Sequence, residues 1–219
     1  MSRRLAVLAA ALVSAGCANH CGARGGLPPN EPPRGVAGDG HSYLVVGKGP
    51  YKAFYDSMGR ISRLEYDGNG DGQPDQIALH DGQKAPHELD VDSDFDGKID
   101  RWEEYDPEGK VVRVGLSRRG NGIPDIWTSL DAQRHATRKD YDEDGDGKPD
   151  RWEYLSADGR VDRVEIDSDR DGRPDRWQIW QGGRLVAEEL DTDRDGRPDR
   201  RLRYGANGRV TAMEPIAHP

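Results

Sequence analysis

The stretch Asp92-Ser93-Asp94-Phe95-Asp96-Gly97-Lys98-Ile99-Asp100 carries carboxylates at its first, third, fifth and ninth positions and glycine at its sixth. Side chains spaced this way on a turning loop converge on one point, where like charges repel and resist ionisation. A hard divalent cation relieves the repulsion. Calcium takes six to eight oxygens from a flexible loop of this kind, so the stretch is a candidate calcium loop.

The arrangement recurs along the chain. Loops begin at Asp67, Asp92, Ser117, Asp142, Asp167 and Asp191, at steps of 25 residues with a last step of 24. A shortened turn at Gly182-Gly183 accounts for the short step. Four loops supply acids at positions one, three, five and nine. They are Asp92, Asp94, Asp96 and Asp100; Asp142, Asp144, Asp146 and Asp150; Asp167, Asp169, Asp171 and Asp175; and Asp191, Asp193, Asp195 and Asp199. The first loop offers Asp67, Asn69, Asp71 and Asp75, the asparagine still an oxygen donor. The carbonyl of the seventh residue, Lys98 in the second loop, is expected to add an oxygen. At Ser117 the pattern fails: Arg119 and Asn121 replace acids and only Asp125 remains. An arginine there supplies the charge that a cation would have brought, which leaves about five calcium sites.

Position twelve holds Glu103 and Glu153, where an EF-hand places its bidentate glutamate, so the Asp92 loop resembles a complete EF-hand loop. Both glutamates therefore join the candidate ligands. The chain differs from an EF-hand protein in having Pro74, Pro149, Pro174 and Pro198 at position eight, where paired EF-hands need a backbone N–H.

The segments between loops must position them. Arg151-Trp152-Glu153-Tyr154-Leu155 and Val161 to Ile166 carry the aromatic and β-branched residues that suit strands. The Asp158-Gly159 between them signals a hairpin, because glycine accepts the positive φ of a tight turn. Met58-Gly59, Glu108-Gly109 and Asn207-Gly208 stand in the equivalent place. Glycine interrupts most of the segments and no apolar residues recur at helical spacing. The expectation is an all-β fold: a repetitive antiparallel β-hairpin array of about twelve strands, a meander or a solenoid, with the acidic calcium loops along one edge. A closed propeller is a further arrangement of the same units. Trp102, Trp127, Trp152 and Trp177 lie two residues after the last acid of their loops, with Ile77 in the first repeat, and are expected to pack as a core ladder.

Composition agrees with a thin core. Of 219 residues, 33% are hydrophobic and 33% charged, with 28 Gly and 14 Pro, whereas an ordinary domain is nearer half apolar. Five Trp and eight Tyr, most of them at fixed repeat positions, argue against disorder. The net charge of -9, with arginines interleaved among acids, gives no basic stripe for nucleic acid. None of His20, His41, His80, His87, His135 and His218 has metal-protease spacing, and no Gly-x-Ser-x-Gly element or phosphate loop occurs. The acids already serve as ligands, so no catalytic residue and no enzyme is expected.

The first residues read as an export signal: Arg3 and Arg4, then an apolar run from Leu5 to Val13, then small residues. That run is too short to span a membrane stably. Ser14-Ala15-Gly16-Cys17 resembles the lipobox of bacterial lipoproteins, which implies a lipidated Cys17 and a membrane partner through that anchor. Ser14 departs from the leucine usual there, and soluble secretion with Cys17 and Cys21 bonded or removed is the alternative. Ala18 after the cysteine implies, by the same resemblance, an outer-membrane destination. The expected organisation is a signal peptide at 1–16, a lipid-anchored Gly/Pro-rich linker at 17–49, the repeat domain at 50–213 and a tail at 214–219.

Between residue 67 and about residue 204 the loops resemble thrombospondin type 3-like calcium repeats, and the intervening strands are similar to hairpin repeats of bacterial surface proteins. The resemblance implies calcium-dependent folding outside the cytoplasm. The function expected is a calcium-stabilised, non-enzymatic surface lipoprotein serving as spacer or adhesion module. A calcium-dependent module binding an extracellular glycan or protein is the alternative, and a secreted hydrolase the remotest.

Overall fold

The computed structural model describes residues 34–36, 42–80 and 85–217. The signal, Cys17, Cys21 and His20 lie outside them. Alternation of apolar and charged residues, punctuated by glycine turns, yields strands throughout; the described residues contain no helix. In chain order they are β1 (Arg34–Val36), β2 (Ser42–Lys48), β3 (Tyr51–Tyr55), β4 (Ile61–Tyr66), β5 (Gln76–Leu79), β6 (Glu88–Val91), β7 (Arg101–Tyr105) and β8 (Val111–Leu116). There follow β9 (Ile126–Leu130), β10 (Ala136–Tyr141), β11 (Arg151–Leu155), β12 (Val161–Ile166), β13 (Arg176–Gln181), β14 (Arg184–Leu190), β15 (Arg200–Tyr204) and β16 (Val210–Pro215). All sixteen form one open antiparallel sheet in strict sequence order, which is a meander.

The sheet is larger than the expected twelve strands. It begins before residue 50, because Ser42–Lys48 pairs along the whole of β3. Tyr43-Leu44-Val45-Val46 is a strand-forming run set in Gly/Pro-rich flanks, so the linker expected at 17–49 overlaps the sheet. The last strand also runs two residues past the expected end at 213.

Each strand touches only its sequence neighbours. The core is correspondingly thin: among the described residues Val91, Val164 and Trp177 are the buried apolar ones. Most of the stability must therefore come from the backbone ladder and from rows of side chains running across the strands.

One such row corrects the tryptophan ladder. Register places Ile77, Asp90, Trp102, Gly115, Trp127, Asp140, Trp152, Glu165 and Trp177 side by side on one face. The odd-numbered strands bring the indoles and the even-numbered strands bring an acid or glycine between them. Trp102 and Trp127 meet, ring centres 6.5 Å apart, across Gly115. A Cβ on Gly115 would lie 2.9 Å from the Trp127 ring, so only glycine leaves room for the contact. Elsewhere the acids hold arginines instead: Asp140 with Arg138, and Glu165 with Arg163. Trp177 alone of the four is buried.

Five of the described hairpin turns at the edge opposite the acidic loops share one geometry. In the turn before β12, Gly159 N–H donates to the Ser156 carbonyl and Ser156 N–H to the Arg160 carbonyl, each at 2.8 Å. In four of them a glycine with positive φ, Gly59, Gly109, Gly159 or Gly208, fills the fourth position. The β9–β10 turn is the exception, with Arg134 at φ 67°. An L side chain pays a steric penalty there of about 1–2 kcal/mol. Arg134→Gly is expected to stabilise the protein by about 1 kcal/mol, net of glycine's greater entropy loss. A urea midpoint that stays the same or falls would contradict this. The β13–β14 turn is shorter, using Gly182 and Gly183 with φ 56° and 76°, and accounts for the 24-residue step.

Candidate metal centre

All six acidic loops join an even-numbered strand to the next odd-numbered one, so they line a single edge. Each closes in the same way. The position-nine N–H donates to the carbonyl just before position one, as from Asp100 to Val91 at 2.9 Å and from Asp150 to Tyr141 at 2.8 Å. The position-one N–H donates to the position-nine carbonyl of the preceding loop, as from Asp92 to Asp75 and from Asp167 to Asp150, both at 2.8 Å. Backbone hydrogen bonds thus stitch the loops into one row. Prolines at position eight cost nothing, because this closure asks no N–H of them.

Within a loop the position-one carboxylate organises the chain. Asp92 accepts from Phe95 N–H and Gly97 N–H, each at 2.8 Å, and is almost fully buried. Asp67, Asp142, Asp167 and Asp191 accept from the same two positions. Position five accepts from position seven, as from Lys98 N–H to Asp96 at 2.9 Å. Those bonds turn the chain so that acids face inward. Asp92, Asp94 and Asp96 bring carboxylate oxygens within 4.8 Å of one another. The same holds for Asp142, Asp144 and Asp146; for Asp167, Asp169 and Asp175; and for Asp191, Asp193 and Asp195. Oxygens bound to one calcium lie at most about 5 Å apart, so these four groups could hold a metal ion.

The remaining predicted ligands are placed differently. Asp100 and Asp199 accept from the hydroxyls of Ser93 and Thr192, at 2.7 Å in each loop, and Asp150 accepts from Glu143 N–H at 2.8 Å. These position-nine acids close the loop and stand outside the groups. In the Asp167 loop, Asp175 is inside and Asp171 outside. In the first loop Asn69 spends its amide on Asp71, at 3.0 Å, and Asp75 accepts from Gly68 and Asn69 N–H. Asp67, Asp71 and Asp75 form no such group among the described residues.

Glu103 and Glu153 do not turn toward the loops. Glu103 is bonded to Arg101 at 2.5 Å and to the Tyr105 hydroxyl at 2.6 Å, along β7. Glu153 takes Arg151 at 2.5 Å and the Tyr141 hydroxyl at 2.9 Å. Position twelve is the third residue of a strand, where the pleat fixes side-chain direction, so these glutamates belong to the sheet face. Burial, with the Glu153 bond next, pushes Tyr141 up to about 12.

In the Ser117 loop, charge replacement occurs through a neighbouring residue. Arg118 Nε bonds Asp125 at 2.7 Å, whereas Arg119 Nε stands 4.0 Å away. Arg119 instead reaches into the next loop, donating to the carbonyls of Asp142, at 3.3 Å, and Glu143. The sequence held the signal, two successive arginines, but not which one would turn inward.

Asp90 stands apart from the loop acids. In its row the other acids pair with an arginine two residues before them on the same strand, whereas β6 carries Glu88 two residues before Asp90. Burial, reinforced by Glu88 and only partly offset by Arg63, pushes Asp90 up to about 7, and its Oδ1 has no hydrogen-bond partner. A concavity of about 410 Å³ lies beside the Asp142 and Asp167 loops, lined by residues that include Glu143, Arg151, Arg170 and Gln178.

Fold and loops together define an all-β repeat protein with a row of acidic, metal-competent loops. No family model matches the chain, and no curated protein does. Among solved structures it is similar to accessory secretory protein 1, 2 and 3 in Streptococcus pneumoniae, at 19% identity and TM-score 0.36, over 53% of this chain and 20% of that one. It is also similar to S. aureus TarM in complex with Fondaparinux, alpha-GlcNAc-glycerol and UDP, at 7% identity and TM-score 0.29, over 60% of this chain and 21% of that one. The chain spans about a fifth of the length of either, and neither likeness bears on activity.

Proposed function

We propose that the chain is a calcium-stabilised, non-enzymatic cell-surface lipoprotein whose sheet serves as a rigid spacer or adhesion module. One observation carries the reading: sixteen strands in a single layer, each touching only its neighbours, with acidic loops stitched along one edge. Such a sheet extends roughly 70 Å along its hydrogen-bonding direction, a dimension suited to holding something away from a surface. Calcium is the ion favoured, because the donors are all oxygens on flexible loops and magnesium demands a tighter octahedron. Its chemistry here is structural: it neutralises carboxylates that otherwise repel. Asp92, Asp94 and Asp96 would hold it, as would Asp142, Asp144 and Asp146, Asp167, Asp169 and Asp175, and Asp191, Asp193 and Asp195. The Ala15-Gly16-Cys17 sequence supports a lipid anchor at Cys17 on an outer membrane.

Cell fractionation with labelled palmitate tests the anchor. Label and membrane association are expected in the full-length protein and lost in Cys17→Ser. A wild-type protein recovered unlabelled and soluble would end the lipoprotein reading.

A further inference from the structure

Position four of the six loops has positive φ throughout, and glycine fills it at Gly70, Gly120 and Gly145. Phe95, Arg170 and Arg194 occupy it in the other loops, with φ 65°, 64° and 64°. A side chain held in this region is strained, and persists where the surroundings compensate. The two arginines make the compensating contact by reaching back across the row. Arg170 Nη1 lies 3.0 Å from Asp144 Oδ2, and Arg194 Nη1 lies 3.3 Å from Asp169 Oδ2.

Asp144 and Asp169 are the position-three acids of the preceding loops and members of their acid groups. Asp94 has no such partner, because the following loop carries Gly120 at position four. Asp193 has none either, since its loop is the last of the six. The four groups therefore fall into two classes, two capped by a guanidinium from the next loop and two without one, the Asp92 group having only the exposed Lys98 of its own loop, 3.8 Å from Asp96.

We infer that Arg170 and Arg194 are built-in counter-ions that hold the Asp142 and Asp167 loops in place without a metal, so that dependence on calcium is graded along the row. This rests on the calcium reading above. A guanidinium removes one unit of negative charge from its group and repels an arriving dication, so calcium adds less order to a capped loop. The arginine side chains are 60% and 73% exposed, which limits each effect to about five-fold. At 1 M salt, where charges are screened within about 3 Å, the two classes should converge.

Amide hydrogen exchange on the full chain, in calcium chloride and in EGTA, tests this. In the wild type, chelation is expected to speed exchange in 92–100 and 191–199 several-fold more than in 142–150 and 167–175. Arg170→Gln should bring 142–150, and Arg194→Gln should bring 167–175, up to the response of 92–100. Arg170→Gly and Arg194→Gly relieve the backbone strain yet should show the same gain in response, which separates charge from conformation. Equal responses from all four loops in the wild type, or unchanged responses in the glutamine variants, would overturn the inference while leaving calcium binding intact. Identical exchange in calcium and EGTA, in every variant, would overturn the calcium reading itself and the grading with it.

Discussion

Chelating calcium is expected to remove a large part of the protein's stability. Four acid groups occur in the structure. Extracellular calcium modules bind at about 10⁻⁴ to 10⁻³ M, and a site at the tight end contributes roughly 1.4 kcal/mol in ~1 mM calcium. Four such sites give about 5–6 kcal/mol, comparable to the whole stability of many domains. The sheet has little to set against that loss, because its buried apolar residues are Val91, Val164 and Trp177. The charge balance points the same way: without Arg3 and Arg4, 30 basic residues face 41 acidic ones. Circular dichroism in calcium and in EGTA should show a fall in melting temperature that calcium reverses and equimolar magnesium does not. An unchanged melting curve would remove calcium from the account of stability.

The second large effect is expected at Glu188, one of the most deeply buried side chains in the sheet. Arg176 Nε donates to it at 2.6 Å, the Tyr204 hydroxyl at 2.8 Å and Gln178 at 3.2 Å. These three partners tie β13, β14 and β15 together. Burial pushes the Glu188 carboxyl up, and the bonds from Arg176, Tyr204 and Gln178 together outweigh burial, so its pKa is lowered. Hydrogen bonds to a charged group are worth about 1.5–3 kcal/mol, and Arg176 is itself partly exposed, so Glu188→Gln should cost about 2 kcal/mol near neutral pH. A carboxyl with a depressed folded pKa contributes stability above its unfolded value and loses it as pH falls through the folded one. The difference between variant and wild type should therefore shrink below the ordinary glutamate range. Urea midpoints at neutral and acid pH measure this, and a penalty that persists undiminished in acid would assign the effect to shape rather than charge.

The acidic loops were legible because their chemistry sits in consecutive residues: alternate acids and a glycine at position six fix the turn whatever lies around it. The hairpin turns were legible for the same reason, through glycines that need positive φ. What could not be read depends on register. Glu103 and Glu153 match an EF-hand by count alone, and only the pleat of β7 and β11 sends them to the sheet face. The tryptophans repeat at a fixed step, yet the strands between them insert Asp140 and Glu165 into the same row. Position-nine acids looked like ligands, and Ser93 and Thr192 at position two reveal another use, closing the loop. The strand Ser42–Lys48 was hidden by its Gly/Pro-rich flanks.

Because each strand touches only the one before and the one after, no pair of strands in contact is separated by more than one turn or loop of sequence. Low contact order favours rapid folding, and folding of stacked repeats can begin anywhere and spread. A chain emerging from one end can thus add hairpins in the order they appear, each finished strand becoming the template for the next. The reverse also follows. The two outermost strands, β1 and β16, each have one neighbour, so melting starts at the ends and advances inward, one hairpin at a time. Length then becomes an adjustable property, since a repeat inserted or deleted at the hairpin turns leaves the interior of every other repeat untouched.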